Sequence, residues 1–183
     1  IGENAFYENT TITGVVLPDS ITTISDSAFD GCTVLASINL PEGLTTIEGV
    51  AFGSTAITSI VIPASVQQIG DRAFFGCGKL KSVTIGQGST VDRIGYIFGL
   101  CSSLESIVIP SGVTRIGQEA FYLCRSLETI YYGGTQEGWN SISIETQNEP
   151  LINATVYYYS AEQPATSGNY WHFDTDGVTP VKW

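Results

Sequence analysis

The chain reads as a β-rich repeat solenoid of about six 23-residue units, with a parallel β-sheet on one face and an aromatic segment capping the C-terminal end. Three observations predict this. The dipeptide Ala-Phe recurs at Ala5-Phe6, Ala28-Phe29, Ala51-Phe52, Ala73-Phe74 and Ala120-Phe121, and Ile97-Phe98 fills the vacant slot, so successive Phe stand 23, 23, 22, 24 and 23 residues apart. Behind each Phe, apolar residues recur at fixed distances and end two apart. Proline closes most of these stretches. A period of about 20 to 50 residues marks stacked coils rather than a globular catalytic fold. The search for function therefore moves from an active site to an exposed surface.

The unit from Val113 shows the pattern most cleanly: Val113, Ile116, Gly117, Ala120, Phe121, Cys124, Leu127 and Ile130. Its strand corresponds to Leu35-x-x-Ile38-x-Leu40, where the spacing is that of a half-buried strand. Pro41 closes that stretch, as Pro18, Pro63 and Pro110 close theirs. A ring without an N–H cannot continue a sheet ladder, so the strands stop at one place. The other half of the unit, Val113-Thr-Arg-Ile116-Gly117, predicts a second short extended segment ending in a glycine free to take a turn conformation. The unit after Phe52 runs one residue short, so its column positions are Ile57, Ile60 and Ile62. Gly86-Gln87-Gly88-Ser89-Thr90 lies where other units turn at proline. Without a lysine or a following helix it reads as an accommodated insertion, not a phosphate loop. One coil cannot bury its own inward face, whereas neighbours on both sides can, so the strands stack in register and each Phe rests on the next.

These residues resemble the BspA-like leucine-rich-repeat family, whose units read as an isoleucine-glycine step, Ala-Phe, Cys or Asn, then Leu-x-x-Ile-x-Leu-Pro and a valine. The resemblance covers about Ile1 to Tyr132. It implies a leucine-rich-repeat right-handed coil, and bacterial proteins that are secreted or held at the cell surface, some adhering to host proteins or other cells. The departures are local: Gly86 and Gly133 replace the proline, Thr55 and Asn9 the cysteine, and Ile97 the alanine.

Composition fits one extracellular module, and no apolar run approaches the roughly 20 residues of a membrane span. Ile1-Gly2 matches the mid-unit step Ile69-Gly70, so the chain is expected to begin inside a longer array, its first unit truncated. The net charge is −11, unevenly spread: residues 1 to 71 carry 8 acidic and no basic side chains, residues 72 to 130 carry 4 and 6, and residues 131 to 183 carry 6 and 1. Such a chain is a poor partner for nucleic acid. The basic residues Arg72, Lys79, Lys81, Arg93, Arg115 and Arg125 read as scattered solubilising charge, with Arg93 and Arg115 placed to share one face as an anion or acidic-partner patch.

Signals for catalysis are thin, and neither a cofactor nor a metal site is expected. Cys32, Cys77, Cys101 and Cys124 each lie three residues after the column Phe. Adjacent coils hold Cys77, Cys101 and Cys124 side by side, their Cβ vectors parallel at about the 4.8 Å strand spacing, longer than the ~3.8 Å a disulfide prefers. They read as buried free thiols, and a hydroxyl in place of Cys101 would need a hydrogen-bond partner. His172 is the only histidine, with no nucleophile beside it. Asp174-Thr175-Asp176-Gly177 lacks the later ligands of a calcium loop and reads as a turn.

Residues 1–132 are thus assigned to the repeats and 133–183 to the cap, packed on the last repeat. In the cap, Thr135 is placed to start a short helix carrying Trp139, Ala154 to Tyr159 reads as an extra strand, and Tyr170–Phe173 with Val181–Trp183 reads as a hairpin. A solenoid's last coil needs such a cover. Alternation along the strands turns outward Gly14 and Val16, Ser37 and Asn39, Ser59 and Val61, Ser82 and Thr84, Ser106 and Val108, and Thr129 and Tyr131. This smooth, nearly uncharged face is the expected contact for a protein ligand, such as a host matrix or cell-surface protein. The alternatives are glycan stacking on Tyr170, Trp171 or Trp183, and a purely architectural spacer carrying another domain.

Overall fold

The computed structural model describes residues 1–183. Its strands are β1 (Gly14–Val15), β2 (Thr23–Ile24), β3 (Ser37–Ile38), β4 (Thr46–Ile47), β5 (Ser59–Ile62), β6 (Gln68–Ile69), β7 (Ser82–Ile85), β8 (Arg93–Ile94), β9 (Ser106–Ile109), β10 (Arg115–Ile116), β11 (Thr129–Tyr132), β12 (Ser143–Ile144), β13 (Thr155–Tyr159), β14 (Tyr170–Phe173) and β15 (Pro180–Lys182), with two short helices, α1 (Gln136–Asn140) and α2 (Glu149–Asn153). Each coil contributes one strand to a broad parallel sheet and one two-residue strand to a narrower ladder. The Phe column stacks between them: ring centroids lie 5.0, 5.5, 5.1, 5.7 and 5.6 Å apart from Phe6 to Phe121.

Backbone bonds explain why Ala precedes Phe. The amides of Phe6, Phe29, Phe52, Phe74 and Phe98 donate to the carbonyl before the next Phe, at Ala28, Ala51, Ala73, Ile97 and Ala120. A small side chain there lets one coil sit directly on the next. The cysteines close a second row. The thiols of Cys32, Cys77, Cys101 and Cys124 donate to the carbonyls of Phe6, Phe52, Phe74 and Phe98 in the preceding coil, at 3.0 to 3.1 Å. All four are free and buried, and burial pushes the Cys124 thiol up to about 12. Phe74 O is also the partner that a hydroxyl at position 101 would require.

The glycines after the column isoleucine do something other than expected. Gly70, Gly95 and Gly117 are not in the left-handed region. They permit close approach instead: a Cβ on Gly70 would lie 2.4 Å from the Gly49 nitrogen. Left-handed backbone falls two residues before the Phe, at Asn4, Ser27, Val50, Arg72 and Glu119, and two after it, at Glu8, Gly31, Ser54, Gly76, Leu100 and Leu123. Tyr96 breaks the first series. From the column isoleucine to the Phe, Ile94 to Phe98 is one residue shorter than Ile116 to Phe121.

Each change of unit length interrupts one ladder. The broad sheet splits between β3 and β5, where the unit after Phe52 is short, and the narrow ladder splits between β6 and β8, across the Gly86–Thr90 insertion. The inserted loop is anchored by Ser89, whose hydroxyl donates to Val66 O and accepts from Val91 N. Pro63 and Pro110 directly follow β5 and β9. At the first coils the ladder stops earlier, because the Asn39 side chain takes over both Leu17 backbone groups, at 2.7 and 3.1 Å.

The capping segment is built as one more turn of the coil. β12 pairs with β10 and β13 with β11, both parallel. In register with Ala120, in the slot that Ala or Ile97 fills before each column Phe, stands Asn148, fully buried, and the seventh Phe position itself is the exposed Glu149. Its Oδ1 accepts the Phe121 amide at 3.0 Å, and its Nδ2 donates to Gly117 O and Glu145 O at 2.8 and 3.0 Å. A polar side chain thus ends the aromatic stack by imitating the missing carbonyl. Thr135 caps α1 as expected, accepting from Gly138 N. β14 then joins β13 in parallel and β15 returns antiparallel. The exposed edge of the sheet is therefore a three-residue strand holding Pro180 and Lys182, both poor templates for further pairing.

Candidate recognition face

The outward residues of the broad sheet fall in two groups. Ser37, Asn39, Ser59 and Val61 are exposed, while Ser82, Ser106, Thr129 and Tyr131 are half-buried. Two depart from the expectation outright: Thr84 is 8% exposed and Val108 1%. The cause is the hairpin of β14 and β15, which folds back across this face. Its turn is set by Asp176, whose Oδ1 accepts from the amides of Val178 and Thr179. The turn reaches coils far up the chain, where Thr84 Oγ1 meets Val178 O at 3.5 Å across 94 residues of sequence. Alternation correctly assigns these side chains to the outer face. It is blind to what returns to cover them.

Trp171 likewise departs from expectation. It is 0% exposed, with its ring packed against Tyr131, Tyr159 and Phe173 at centroid distances of 5.4, 5.4 and 4.7 Å. Its indole N–H donates to Tyr132 O at 2.8 Å. No ring face remains for a sugar. Tyr170 is half-buried, and Trp183, 43% exposed, stacks one face on His172 at 3.9 Å. Tyr131 lies in the same cluster against Tyr157, and burial raises its phenol above the ordinary range.

Two clefts form where the hairpin meets the sheet. One, of about 430 Å³, lies between the turn at Val178–Pro180 and a floor that includes Ser59, Ser82, Ser106 and Val108. The other, of about 390 Å³, lies beside it, with Val61, Pro63, Tyr159, Phe173 and Val178 as apolar walls and Glu42 at the rim. A further cleft of about 500 Å³ marks the break between β6 and β8 and includes Asp71, Asp92 and Arg93. Arg93 and Arg115 do stand side by side in register. Arg115, however, is committed to Glu145 through Nε at 2.8 Å, and that hydrogen bond lowers the Glu145 carboxyl below its usual range. No group of three or more His, Cys, Asp and Glu side chains is arranged to hold a metal, and no helix is long and apolar enough to cross a membrane.

Stacked coils, a buried Phe spine and a broad parallel sheet define the class: a leucine-rich-repeat β-solenoid, a fold typical of non-enzymatic repeat proteins. A family model for the BspA type leucine rich repeat region matches residues 1–128 in six copies, and the chain belongs to that family. Among solved structures, a leucine-rich repeat protein of T. pallidum is 29% identical, with a TM-score of 0.60 over 86% of this chain and 77% of its own. The pneumococcal vaccine antigen PcpA is 21% identical with a TM-score of 0.66, and the match covers 84% of this chain and 37% of PcpA. The chain spans 52% of a Bacteroides ovatus leucine-rich repeat protein, at 27% identity and a TM-score of 0.49 over 86% of this chain. No curated protein matches the chain.

Proposed function

We propose that this chain is a non-catalytic recognition and adhesion module of a secreted or cell-surface bacterial protein, binding a protein ligand on the open half of its broad sheet. The observation that carries this reading is the division of the face. Coils near the N-terminal end present small side chains and the apolar Val16 and Val61, 88% and 43% exposed, while the hairpin beside them raises a wall. A flat floor with one wall suits a low-relief protein contact, and solenoids use such extended surfaces for binding. Membership of the BspA-type repeat family supports the surface setting, and leucine-rich repeats generally mediate protein–protein interactions. The half-buried Ser82, Ser106, Thr129 and Tyr131 belong to the margin of this site, and the covered Thr84 and Val108 to its support.

The test is capture of matrix and cell-surface proteins on immobilised wild-type chain, Ser59→Arg and Gln118→Arg. Ser59→Arg adds bulk on the open floor and Gln118→Arg adds the same charge away from it. Loss of a captured partner with Ser59→Arg alone is expected. Equal capture by all three removes the sheet from the account, and no capture under any condition favours the spacer. The glycan alternative rests on Trp183 and Tyr170, which line a hollow of about 180 Å³ with residues 163–168.

A further inference from the structure

The geometry points to a cation-bearing apolar peptide segment, rich in Lys or Arg, as the occupant of the cleft between the hairpin and β5. This deepens the recognition reading above and rests on it. The cleft is apolar on its walls, where Val61 and Pro63 face Tyr159, Phe173 and Val178 across about 390 Å³. Its only charged lining residue is Glu42. Glu42 follows Pro41 as Asp19 follows Pro18 in the coil before, and a Cβ on Gly43 would lie 3.0 Å from Asp19 O, so a second acidic residue follows the closing proline of the adjacent coil.

Nothing within the chain neutralises this rim. The ion pairs are Lys81 with Glu105 and Arg115 with Glu145, and none of these four residues lines the cleft. Residues 1 to 71 contain no basic side chain at all. A long Lys or Arg side chain matches both parts of such a site, its methylene stem lying on apolar and aromatic walls while its charged head reaches the carboxylate. A second feature selects a peptide over a simple cation. The Gln87 side-chain nitrogen, at the cleft wall, is buried without a hydrogen-bond partner. It is lodged over Gly133, where a Cβ would stand 2.2 Å away. An unpaired buried donor is costly. A rotation of the Gln87 side chain toward the cleft lets a peptide carbonyl supply the acceptor it lacks.

The test uses the full chain and three labelled hexapeptides of alternating Arg-Leu, Ser-Leu and Glu-Leu, followed by fluorescence anisotropy at low and high salt. The Arg-Leu peptide is expected to bind most tightly and to weaken as salt rises. Glu42→Gln is expected to weaken it roughly three- to tenfold while leaving the Ser-Leu peptide unchanged. Val61→Asp, a change at an exposed floor position, is expected to abolish binding of the neutral peptide, with thermal unfolding confirming that both variants fold. Equal binding of the Arg-Leu and Ser-Leu peptides, or no response to Glu42→Gln, overturns the proposal and leaves protein recognition on this face standing. Binding of none of the three peptides also overturns it, and the capture comparison with Ser59→Arg then decides the broader reading by itself.

Discussion

Removing one ring from the middle of the Phe column should cost far more than removing the ring at its end. Phe74 is 0% exposed and lies between Phe52 and Phe98, at 5.1 and 5.7 Å. Phe74→Ala loses the transfer free energy of a fully buried ring, both aromatic pairs, and the packing around the void, together roughly 3 to 5 kcal/mol. Phe6 is half-buried and stacks only on Phe29, at 5.0 Å. Its loss is part of one ring's transfer term and one pair, roughly 1 to 2 kcal/mol. Urea denaturation followed by far-ultraviolet circular dichroism reads the difference. With a slope of about 2 to 3 kcal/mol per molar, Phe74→Ala lowers the midpoint by roughly 1 to 2 M and Phe6→Ala by well under 1 M. Equal shifts at the two positions would refute the reasoning, because they would mean that neighbours on both sides add nothing.

Four other outcomes follow from the same packing. Unfolding without reductant should expose four titratable thiols that react slowly in the native chain, and finding two or fewer would show the cysteine column to be bridged. Because burial raises Cys124 from 9.0 to about 12, the folded chain holds a proton there that the unfolded chain releases. Its stabilising contribution is complete below about pH 9 and lost progressively toward pH 12, on the order of 4 kcal/mol in all, which denaturation at stepped alkaline pH measures against Cys124→Ala. Asn148→Ala strips the acceptor from the buried Phe121 amide and the donor from Gly117 O, and should cost roughly 2 to 4 kcal/mol in the same urea assay; a loss below half of that counts against Asn148 as the end of the stack. Trp171→Ala should destabilise by roughly 3 to 5 kcal/mol rather than act as a surface change, and a wild-type midpoint would contradict its burial.

The repeat was legible because its causes are local and recur. Ala before Phe, a residue pair two apart before proline, and cysteine three after Phe each answer to one contact made again in most coils. Length changes were also visible in the sequence, at the short unit after Phe52 and at Gly86–Thr90. That each would open one ladder and leave the other intact depends on which half of the coil absorbs it. The left-handed positions were marked only where glycine stands, at Gly31 and Gly76; Val50, Leu100 and Leu123 adopt the same backbone with nothing in their type to announce it. Asn148 has no precedent in the slot that Ala or Ile97 fills in the other coils. Least legible was the covering of Thr84 and Val108, since it depends on a turn 94 residues away from Thr84. Strand periodicity tells which side of a sheet a residue occupies. Exposure is decided by the rest of the chain.

Recognition on the open half of the broad sheet requires the hairpin to cover the other half. Single substitutions Val61→Cys and Val108→Cys place a thiol at two outward positions, 43% and 1% exposed in the native chain. Their reaction with a water-soluble maleimide, timed against the four native thiols, reports the covering directly. Val61→Cys is expected to be modified at the rate of a free surface thiol, and Val108→Cys to lag with the buried column. Equal rapid modification at both positions would mean that the hairpin does not lie on the sheet, and the division that locates the recognition face would be lost.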